Sequence, residues 1–193
     1  KARGQLRKFL DSNAIDFFVT PMEGRRKKLL IADMDLTIIE GESLDMLAKH
    51  AGLQKEISAI TQQAMEGQID FSDALRRRVA MIKGLDVSTL QKTADDMMIT
   101  AGAWQLVKTM KKFGVVCVLV SGGFTFFTEI ISQRVGFDHH HGNVLKIAGG
   151  KLDGTVEELI LDQNAKVNFM QHYIARLGIQ AGDVLALGDG AND

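Results

Sequence analysis

The sequence contains one cysteine, one proline, one tryptophan and one tyrosine among its 193 residues. The single cysteine, Cys117, cannot close an intrachain disulfide or form a cysteine metal cluster, so both are excluded and a cytoplasmic location is the default expectation. The net charge of -1 provides no basic excess for nucleic acid or for an anionic membrane surface. Any phosphate that the protein binds must therefore be held by local groups.

Long hydrophobic runs are missing as well. The apolar runs are much shorter than the ~20 residues that a transmembrane helix needs. The first residues, KARGQLRKFL, also lack the apolar stretch of a signal peptide. We therefore expect neither a membrane span nor a signal peptide, and no nucleic-acid or membrane partner.

Three short, continuous apolar runs lie at residues 28–32 (KLLIA), 115–120 (VVCVLV) and 184–187 (VLAL). Such runs are typical of strands that are buried on both faces of a parallel sheet. Segments with helical periodicity lie between and around them, at residues 103–113, 124–135 and 165–177. The alternation predicts an α/β fold with a doubly wound parallel sheet.

The segment between the first two strands is far longer than the roughly dozen residues that a crossover connection needs. It contains amphipathic stretches at residues 44–51, 56–65, 71–82 and 87–97. We predict a helical cap at residues 43–97, inserted into a core that is formed by residues 25–42 and 98–193. Residues 1–24, which include a possible strand at 15–19, are predicted to be the remnant of an upstream domain.

A β-hairpin is predicted near residues 143–156. Apolar residues at 144, 145 and 147 precede the turn residues Gly149-Gly150, and a second turn signal follows at Asp153-Gly154. The hairpin is expected to project from the core.

Two carboxylates follow the first strand directly, in the segment Asp33-Met34-Asp35. Open α/β sheets bind ligands at the carboxyl ends of their strands, and residues two apart in an extended segment point to the same side. One carboxylate can attack phosphorus and form an aspartyl-phosphate, while the other exchanges protons with the leaving and attacking oxygens. The competing interpretation is a solvated acidic turn, because short motifs recur by chance.

Two segments with phosphate-binding chemistry are predicted at the same edge of the sheet. Ser121-Gly122-Gly123 follows the second strand and precedes a helix, where a hydroxyl and backbone N–H groups suit an anion. Lys166, in Asn164-Ala165-Lys166 at the start of a later helix, can neutralise a phosphate, although such a lysine is often simply solvated.

The last segment, residues 188–193 (GDGAND), follows the third apolar run. It adds Asp189 and Asp193 to the same edge. Carboxylate oxygens of this kind suit Mg²⁺, which binds few carboxylates and keeps several waters. Without the metal, Asp33 would repel the phosphate dianion that it must attack.

The segments DMDLT, SGGF, NAK and GDGAND, in this order, resemble the motifs of the haloacid dehalogenase superfamily, and with the cap they resemble its phosphoserine phosphatase branch. The resemblance covers about residues 25–193 and implies hydrolysis of O-phosphoserine, the last step of serine biosynthesis. It makes Asp33 the nucleophile and Asp35 the general acid and then the general base. Phosphoryl binding is assigned to Ser121, Gly122 and Lys166. The implied Mg²⁺ ligands are Asp33, the backbone carbonyl of Asp35 and Asp189, with Asp193 supporting the water shell.

The resemblance also assigns residues that recognise the rest of the substrate. Glu42 would bind the substrate ammonium and Arg78 its carboxylate, which is consistent with the charges of an amino acid phosphate. Met65 and Phe71 would form walls of the closed site. Asn192 would orient groups near the substrate.

Two features leave other functions open. Leu36 stands where phosphoserine phosphatases usually carry serine and related enzymes glycine, which favours a phosphatase or phosphotransferase for another small phosphate ester. The sequence also ends before the helix and strand that normally support the last motif, so we expect a fragment of a longer polypeptide. A catalytically weak, phospholigand-binding remnant is the alternative from a different class. The oligomeric state is not determined by the sequence.

Several conspicuous side chains receive structural interpretations. The arginines at 76 and 77 are predicted to be solvated, and the histidines at 139–141 are predicted to point apart rather than bind a metal. Met97, Met98 and Trp104 are predicted to be core residues.

Overall fold

The computed structural model describes residues 2–15 and 22–190. Its central sheet consists of β1 (Leu29–Ala32), β2 (Val116–Phe124), β3 (His139–Asn143) and β6 (Val184–Leu187). The strand order is β3-β2-β1-β6, and all of the pairings are parallel. The predicted α/β fold with a parallel sheet is confirmed.

The first helix was not predicted from the sequence, and the later helices lie within about two residues of the predicted segments, a normal uncertainty for helix ends. The helices are α1 (Ala2–Ser12), α2 (Ser43–Ala51), α3 (Gln54–Met65), α4 (Phe71–Met81), α5 (Ser88–Asp96), α6 (Ala103–Lys112), α7 (Thr125–Val135) and α8 (Gln163–Leu177). A short 3-10 helix, Ala181–Asp183, precedes β6.

Helices cover both faces of the sheet because successive side chains of a strand point to opposite sides. Leu30 and Ala32 of β1 belong to the larger apolar cluster, which also contains residues of α6 and α7. Leu29 and Ile31 belong to a smaller cluster with Tyr173 of α8. The strand is therefore buried on both faces, which explains its continuous apolar sequence.

The helices α2 to α5 form the predicted insertion between β1 and α6. Their apolar side chains, such as Leu47, Ile57 and Leu90, are fully buried and extend the larger cluster. The segments that lead into and out of the insertion pair antiparallel at Ile39 and Ile99. The helical cap is thus attached by two adjacent chain segments, while its assignment to residues 43–97 as a separate domain stays a prediction.

The predicted hairpin is formed by β4 (Leu145–Ala148) and β5 (Lys151–Val156), joined at Gly149-Gly150. Both glycines have positive φ, of 58° and 76°, as a tight two-residue hairpin turn requires. The hairpin hydrogen-bonds to the loop between α4 and α5: the Gly84 N–H donates to Leu152 O at 2.8 Å, and the Leu152 N–H donates to Leu85 O at 2.9 Å. The hairpin therefore joins the core to the cap.

Three local predictions are corrected by the structure. The second predicted turn, Asp153-Gly154, is not a turn, because both residues lie inside β5. The Asp153 carboxylate accepts hydrogen bonds from the backbone N–H and the hydroxyl of Thr155. Met97 is buried as predicted, but Met98 and Trp104 are 63% and 47% exposed because they lie on the outer side of their segments. β2 extends through Phe124, so Ser121-Gly122-Gly123 continues the strand.

Two further expectations concern the strand at residues 15–19 and the absence of a membrane span. Of the possible strand at residues 15–19, only Ile15 lies within the described residues. Across the described ranges, no helix combines the length and the apolar character needed to cross a membrane.

Candidate active site

The candidate site begins with Asp33 at the carboxyl end of β1. Its backbone N–H donates to Leu187 O of β6 at 2.9 Å, which continues the parallel ladder past the strand end. The Asp33 side chain is almost buried, and its Oδ1 lies 2.8 Å from Lys166 Nζ. An ammonium group beside a carboxylate favours the ionised form, which is the form that acts as a nucleophile.

Lys166 reaches this position because α8 begins close to the sheet edge. The N-cap residue Asp162 accepts hydrogen bonds from the N–H groups of Asn164 and Ala165, at 2.8 Å and 3.2 Å. This cap satisfies backbone donors that the first helical turn leaves open. The lysine of the NAK segment is therefore in the first turn of a well-capped helix, as predicted.

Asp35 is held by two donors, one eight residues further along the chain and one from the end of β2. The Ser43 N–H donates to its Oδ1 at 2.6 Å, and the Ser121 hydroxyl donates to its Oδ2 at 3.1 Å. Burial raises the pKa of Asp35, and the hydrogen bonds from Ser43 and Ser121 and the charge of Lys166 lower it in part. A carboxyl with a raised pKa that remains hydrogen-bonded suits proton exchange with a reacting oxygen.

The two glycines after Ser121 permit close approach of neighbouring groups. A Cβ at Gly123 would lie 3.0 Å from both Ser121 Oγ and Ser43 Oγ and 3.2 Å from Asp35 Oδ2. A Cβ at Gly122 would lie 2.9 Å from Cζ of Phe71. The structure therefore brings Gly122 of the core and Phe71 of the cap together, and leaves no room for a side chain between them.

Glu42, which ends the first core segment, and Arg78 of the cap each feel the charge of the other and of Asp35. Glu42 is exposed to solvent over much of its surface. Partial desolvation of its carboxyl group nevertheless raises its pKa to about 7, together with the negative charges of Asp35, Asp45 and Asp33. Burial lowers the pKa of Arg78, and the charges of Glu42, Asp45 and Asp35 oppose this shift. An acid and a guanidinium thus lie close enough to Asp35 for their charges to interact with it.

Arg78 is the most enclosed of the three consecutive arginines. Its Nε donates to Ala74 O at 3.2 Å, and its Nη1 donates to Thr61 Oγ1 at 3.3 Å. Arg76 and Arg77 are exposed, consistent with the prediction that they are solvated. These two hydrogen bonds hold the Arg78 side chain in place.

Some of the predicted site residues lie beyond what the structure describes. Met65 ends α3, and its side chain is outside the described set, as are Asn192 and Asp193 entirely. Asp189 is exposed and follows β6, whose last residue, Leu187, pairs with Ala32 immediately before Asp33. This register brings Asp189 to the same sheet edge as Asp33.

The donors at this edge are compatible with a magnesium ion. They are carboxylate and carbonyl oxygens without sulfur or imidazole, and Mg²⁺ needs only one or two carboxylates because it retains water. Within residues 2–15 and 22–190, no three side chains of His, Cys, Asp or Glu form a ready-made metal cluster. Asp33, the Asp35 carbonyl and Asp189 stay the predicted ligands of such an ion.

The histidines of β3 alternate between its two faces, so His139 and His141 both pack against Tyr173 while His140 points to the opposite side. His140 is 3.0 Å from Thr128 Oγ1 of α7, whereas His141 is 3.0 Å from the Tyr173 hydroxyl of α8. Burial lowers the pKa of His141 to about 4, so this side chain is neutral at pH 7. The cluster therefore has a structural role between sheet and helices.

Two contributors to the site were missed by sequence reasoning. Ser43, at the start of α2, provides the shortest hydrogen bond to Asp35, and the serine at a predicted helix start was the available signal. Asp45 lies three residues after Glu42 and contributes to its raised pKa. Helical spacing could have indicated that these two acids are neighbours.

Residues 30–193 match the family model of the haloacid dehalogenase-like hydrolases, so the chain belongs to this family. Its relatives include proteins named phosphoserine phosphatase. The chain is 37% identical over 195 residues to that of Archaeoglobus fulgidus, covering 100% of this chain and 57% of the relative. It is 37% identical over 169 residues to that of Methanocaldococcus jannaschii, covering 88% of this chain and 80% of the relative.

The fold is similar to that of a solved structure as well. A substrate-bound phosphoserine phosphatase complex superposes with a TM-score of 0.81 at 37% identity, covering 88% of this chain and 80% of that chain. The chain thus spans little more than half of the Archaeoglobus relative and about four fifths of the other two.

Proposed function

We propose that this protein is a Mg²⁺-dependent phosphoserine phosphatase, which hydrolyses O-phosphoserine to serine and phosphate as the last step of serine biosynthesis. The observation that carries the proposal is the pair of aspartates in different environments. Asp33 is buried and paired with Lys166 at 2.8 Å, whereas Asp35 is partly buried and accepts hydrogen bonds from a hydroxyl and a backbone N–H. Two carboxyl groups with such different surroundings suit the separate roles of nucleophile and proton carrier.

In the first half of the proposed reaction, an oxygen of Asp33 attacks phosphorus and forms an aspartyl-phosphate. The bond from phosphorus to the serine oxygen breaks, and Asp35 gives its proton to that oxygen. Lys166, Ser121 and Gly122 bind the phosphoryl oxygens and neutralise their charge. Magnesium, when bound by Asp33, the Asp35 carbonyl and Asp189, supplies further positive charge, with Asp193 supporting its water shell.

In the second half, Asp35 accepts a proton from a water molecule, whose oxygen attacks the phosphorus. The bond to Asp33 breaks, phosphate leaves, and both carboxyl groups return to their starting states. Phosphoryl transfer depends mainly on positioning and charge neutralisation, which the site supplies.

We propose that the cap, residues 43–97, selects the amino acid part of the substrate and closes over the core, residues 25–42 and 98–193. Glu42 binds the ammonium and Arg78 binds the carboxylate, while Met65, Phe71 and Asn192 complete the enclosure. The contact between Phe71 and Gly122 supports this closure, since it joins the cap to the phosphoryl-binding segment. A closed cap excludes bulk water from the reaction.

Leu36 supports a second candidate, a phosphatase for another small phosphate ester. It has a left-handed φ of 56°, which is strained for leucine, and it is 52% exposed immediately after Asp35. Packing of the side chain does little to compensate for this strain, because about half of it is exposed. The exposed part of Leu36 is available to contact a substrate other than phosphoserine.

The test is phosphate release with Mg²⁺ from O-phosphoserine and from a panel of other small phosphomonoesters. Preferential hydrolysis of O-phosphoserine is expected, and Asp33→Asn should abolish it while leaving the fold intact. A preference for another ester would select the second candidate. Lack of turnover on every ester, with phosphate still bound, would instead favour the phospholigand-binding alternative.

A further inference from the structure

Asn143 is a buried polar residue that the proposed reaction does not use. It ends β3, is 3% exposed, and hydrogen-bonds to the backbone of two distant segments. Its Nδ2 donates to Gly122 O at 2.8 Å, and its Oδ1 accepts from the Leu161 N–H at 2.8 Å. Backbone partners determine the orientation of the amide, since a carbonyl only accepts and an N–H only donates.

The first of these bonds continues into the candidate site. The Gly122 carbonyl belongs to the same planar peptide unit as the Gly123 N–H, so fixing one end of the unit also fixes the other. The Gly123 N–H donates to Ser121 Oγ at 2.8 Å, and Ser121 Oγ donates to Asp35 Oδ2 at 3.1 Å. A continuous chain of hydrogen bonds therefore runs from Asn143 to Asp35, and the bonds of such a chain strengthen one another.

The second bond reaches the other side of the site. Leu161 immediately precedes Asp162, the N-cap of α8, and Lys166 in the first turns of that helix lies 2.8 Å from Asp33. The start of α8 is thus tied through Asn143 to the end of β2. One amide connects the segment that carries Ser121 with the segment that carries Lys166.

We propose that Asn143 is a positioning residue of the phosphoryl-transfer site. It holds the Gly122–Gly123 peptide in the orientation that keeps Ser121 on Asp35, and it anchors the start of the helix that carries Lys166. The inference rests on the proposed phosphatase function. A buried asparagine that served only the fold would affect stability and leave the geometry of Ser121 unchanged.

The test compares Asn143→Asp with a matched control. Asn143→Asp keeps the size of the side chain and an acceptor for the Leu161 N–H, but it removes the donor to Gly122 O. Thr93→Ala is the control, because Thr93 is fully buried in the cap and its hydroxyl donates a local hydrogen bond to Thr89 O at 2.8 Å.

For Asn143→Asp we expect kcat on O-phosphoserine to fall about 100-fold, a typical effect of misplacing reacting groups. KM should change less than about threefold, because Glu42 and Arg78 still bind the amino acid part. The amide proton resonance of Gly123 should also move upfield as its hydrogen bond to Ser121 weakens. Thr93→Ala should lower thermal stability without either change.

A double-mutant cycle with Ser121→Ala separates positioning from a general loss of folded enzyme. If Asn143 acts through Ser121, Asn143→Asp should cost much less kcat in the Ser121→Ala background than alone. The inference would be overturned if the two substitutions reduced kcat by independent, multiplicative factors and the Gly123 resonance did not change. Asn143→Ala, measured in the same cycle, replaces Asn143→Asp if the buried carboxylate prevents folding. Inactivity of the unchanged chain would instead overturn the proposed function, while the Gly123 resonance would still report on the hydrogen-bond chain.

Discussion

Substitution of Gly122 by alanine tests whether the contact between cap and core controls activity. The new Cβ would lie 2.9 Å from Phe71 Cζ, against about 3.4 Å or more for ordinary contacts. Gly122 does not have a positive φ, so alanine causes no backbone strain at this position. The overlap of about half an ångström must be relieved by movement of the ring or of the cap.

The expected cost in stability is small. Overpacking a rigid core typically costs about 1–3 kcal/mol, but Phe71 is 38% exposed at the start of α4, and the clash involves the far end of its ring. We therefore expect Gly122→Ala to lower the free energy of unfolding by less than about 1 kcal/mol, or Tm by about 2–4 °C at most.

The expected cost in activity is large, because displacement of either the Phe71 ring or the cap changes the wall of the site next to Gly122. Misplacement by about 1 Å can reduce the rate about 100-fold, and we expect kcat/KM for O-phosphoserine to fall by this order. Phe71→Ala should restore space, so Gly122→Ala should cost several-fold less in the Phe71→Ala background. Gly182→Ala is the control, since a Cβ there has no heavy atom within 4 Å. Independent effects of the two substitutions, or full activity of Gly122→Ala, would refute the proposed role of this contact.

Three other predictions concern specificity, metal and pH. Arg78→Ala should weaken phosphoserine binding by about 2–4 kcal/mol while sparing hydrolysis of a generic aryl phosphate, because a charged, partly buried contact is lost only with the former substrate; equal losses in kcat/KM on both substrates would indicate general damage to the cap. Chelation should abolish turnover and Mg²⁺ should restore it, whereas excess Ca²⁺ should inhibit because it favours higher coordination and can occupy both oxygens of Asp33; full activity after exhaustive chelation would remove the metal from the mechanism. The pKa of Glu42 is raised from 4.5 to about 7 in the folded protein, so ionisation of this side chain opposes folding. The contribution of neutral Glu42 to stability is therefore fully present below the unfolded pKa and is lost as the pH rises through the folded pKa. Glu42→Gln should therefore raise Tm at about pH 8.5 more than at about pH 5, and an equal change at both values in a thermal denaturation series would contradict the assignment.

The order and type of the main elements could be predicted from the sequence because their signals are local. The run at residues 28–32 is apolar at every position that β1 buries, and helical periodicity marked the segments that became α6, α7 and α8. The four polar segments were expected at one edge because parallel strands present their carboxyl ends together. Asp33 and Lys166 do meet there.

Other features depended on which distant segments pack together. The Ser121 hydroxyl on Asp35, the ring of Phe71 against Gly122 and the hydrogen bonds of Asn143 join residues that are far apart in the chain. The exposure of Met98 and the position of Asp153 inside β5 likewise depend on neighbours that no local pattern identifies. Hydrophobic periodicity specifies which face of an element is buried, whereas hydrogen-bond partners are selected only when the elements dock. The sequence by itself therefore determined the fold class and the chemical groups of the site, and the tertiary structure decided how those groups are held.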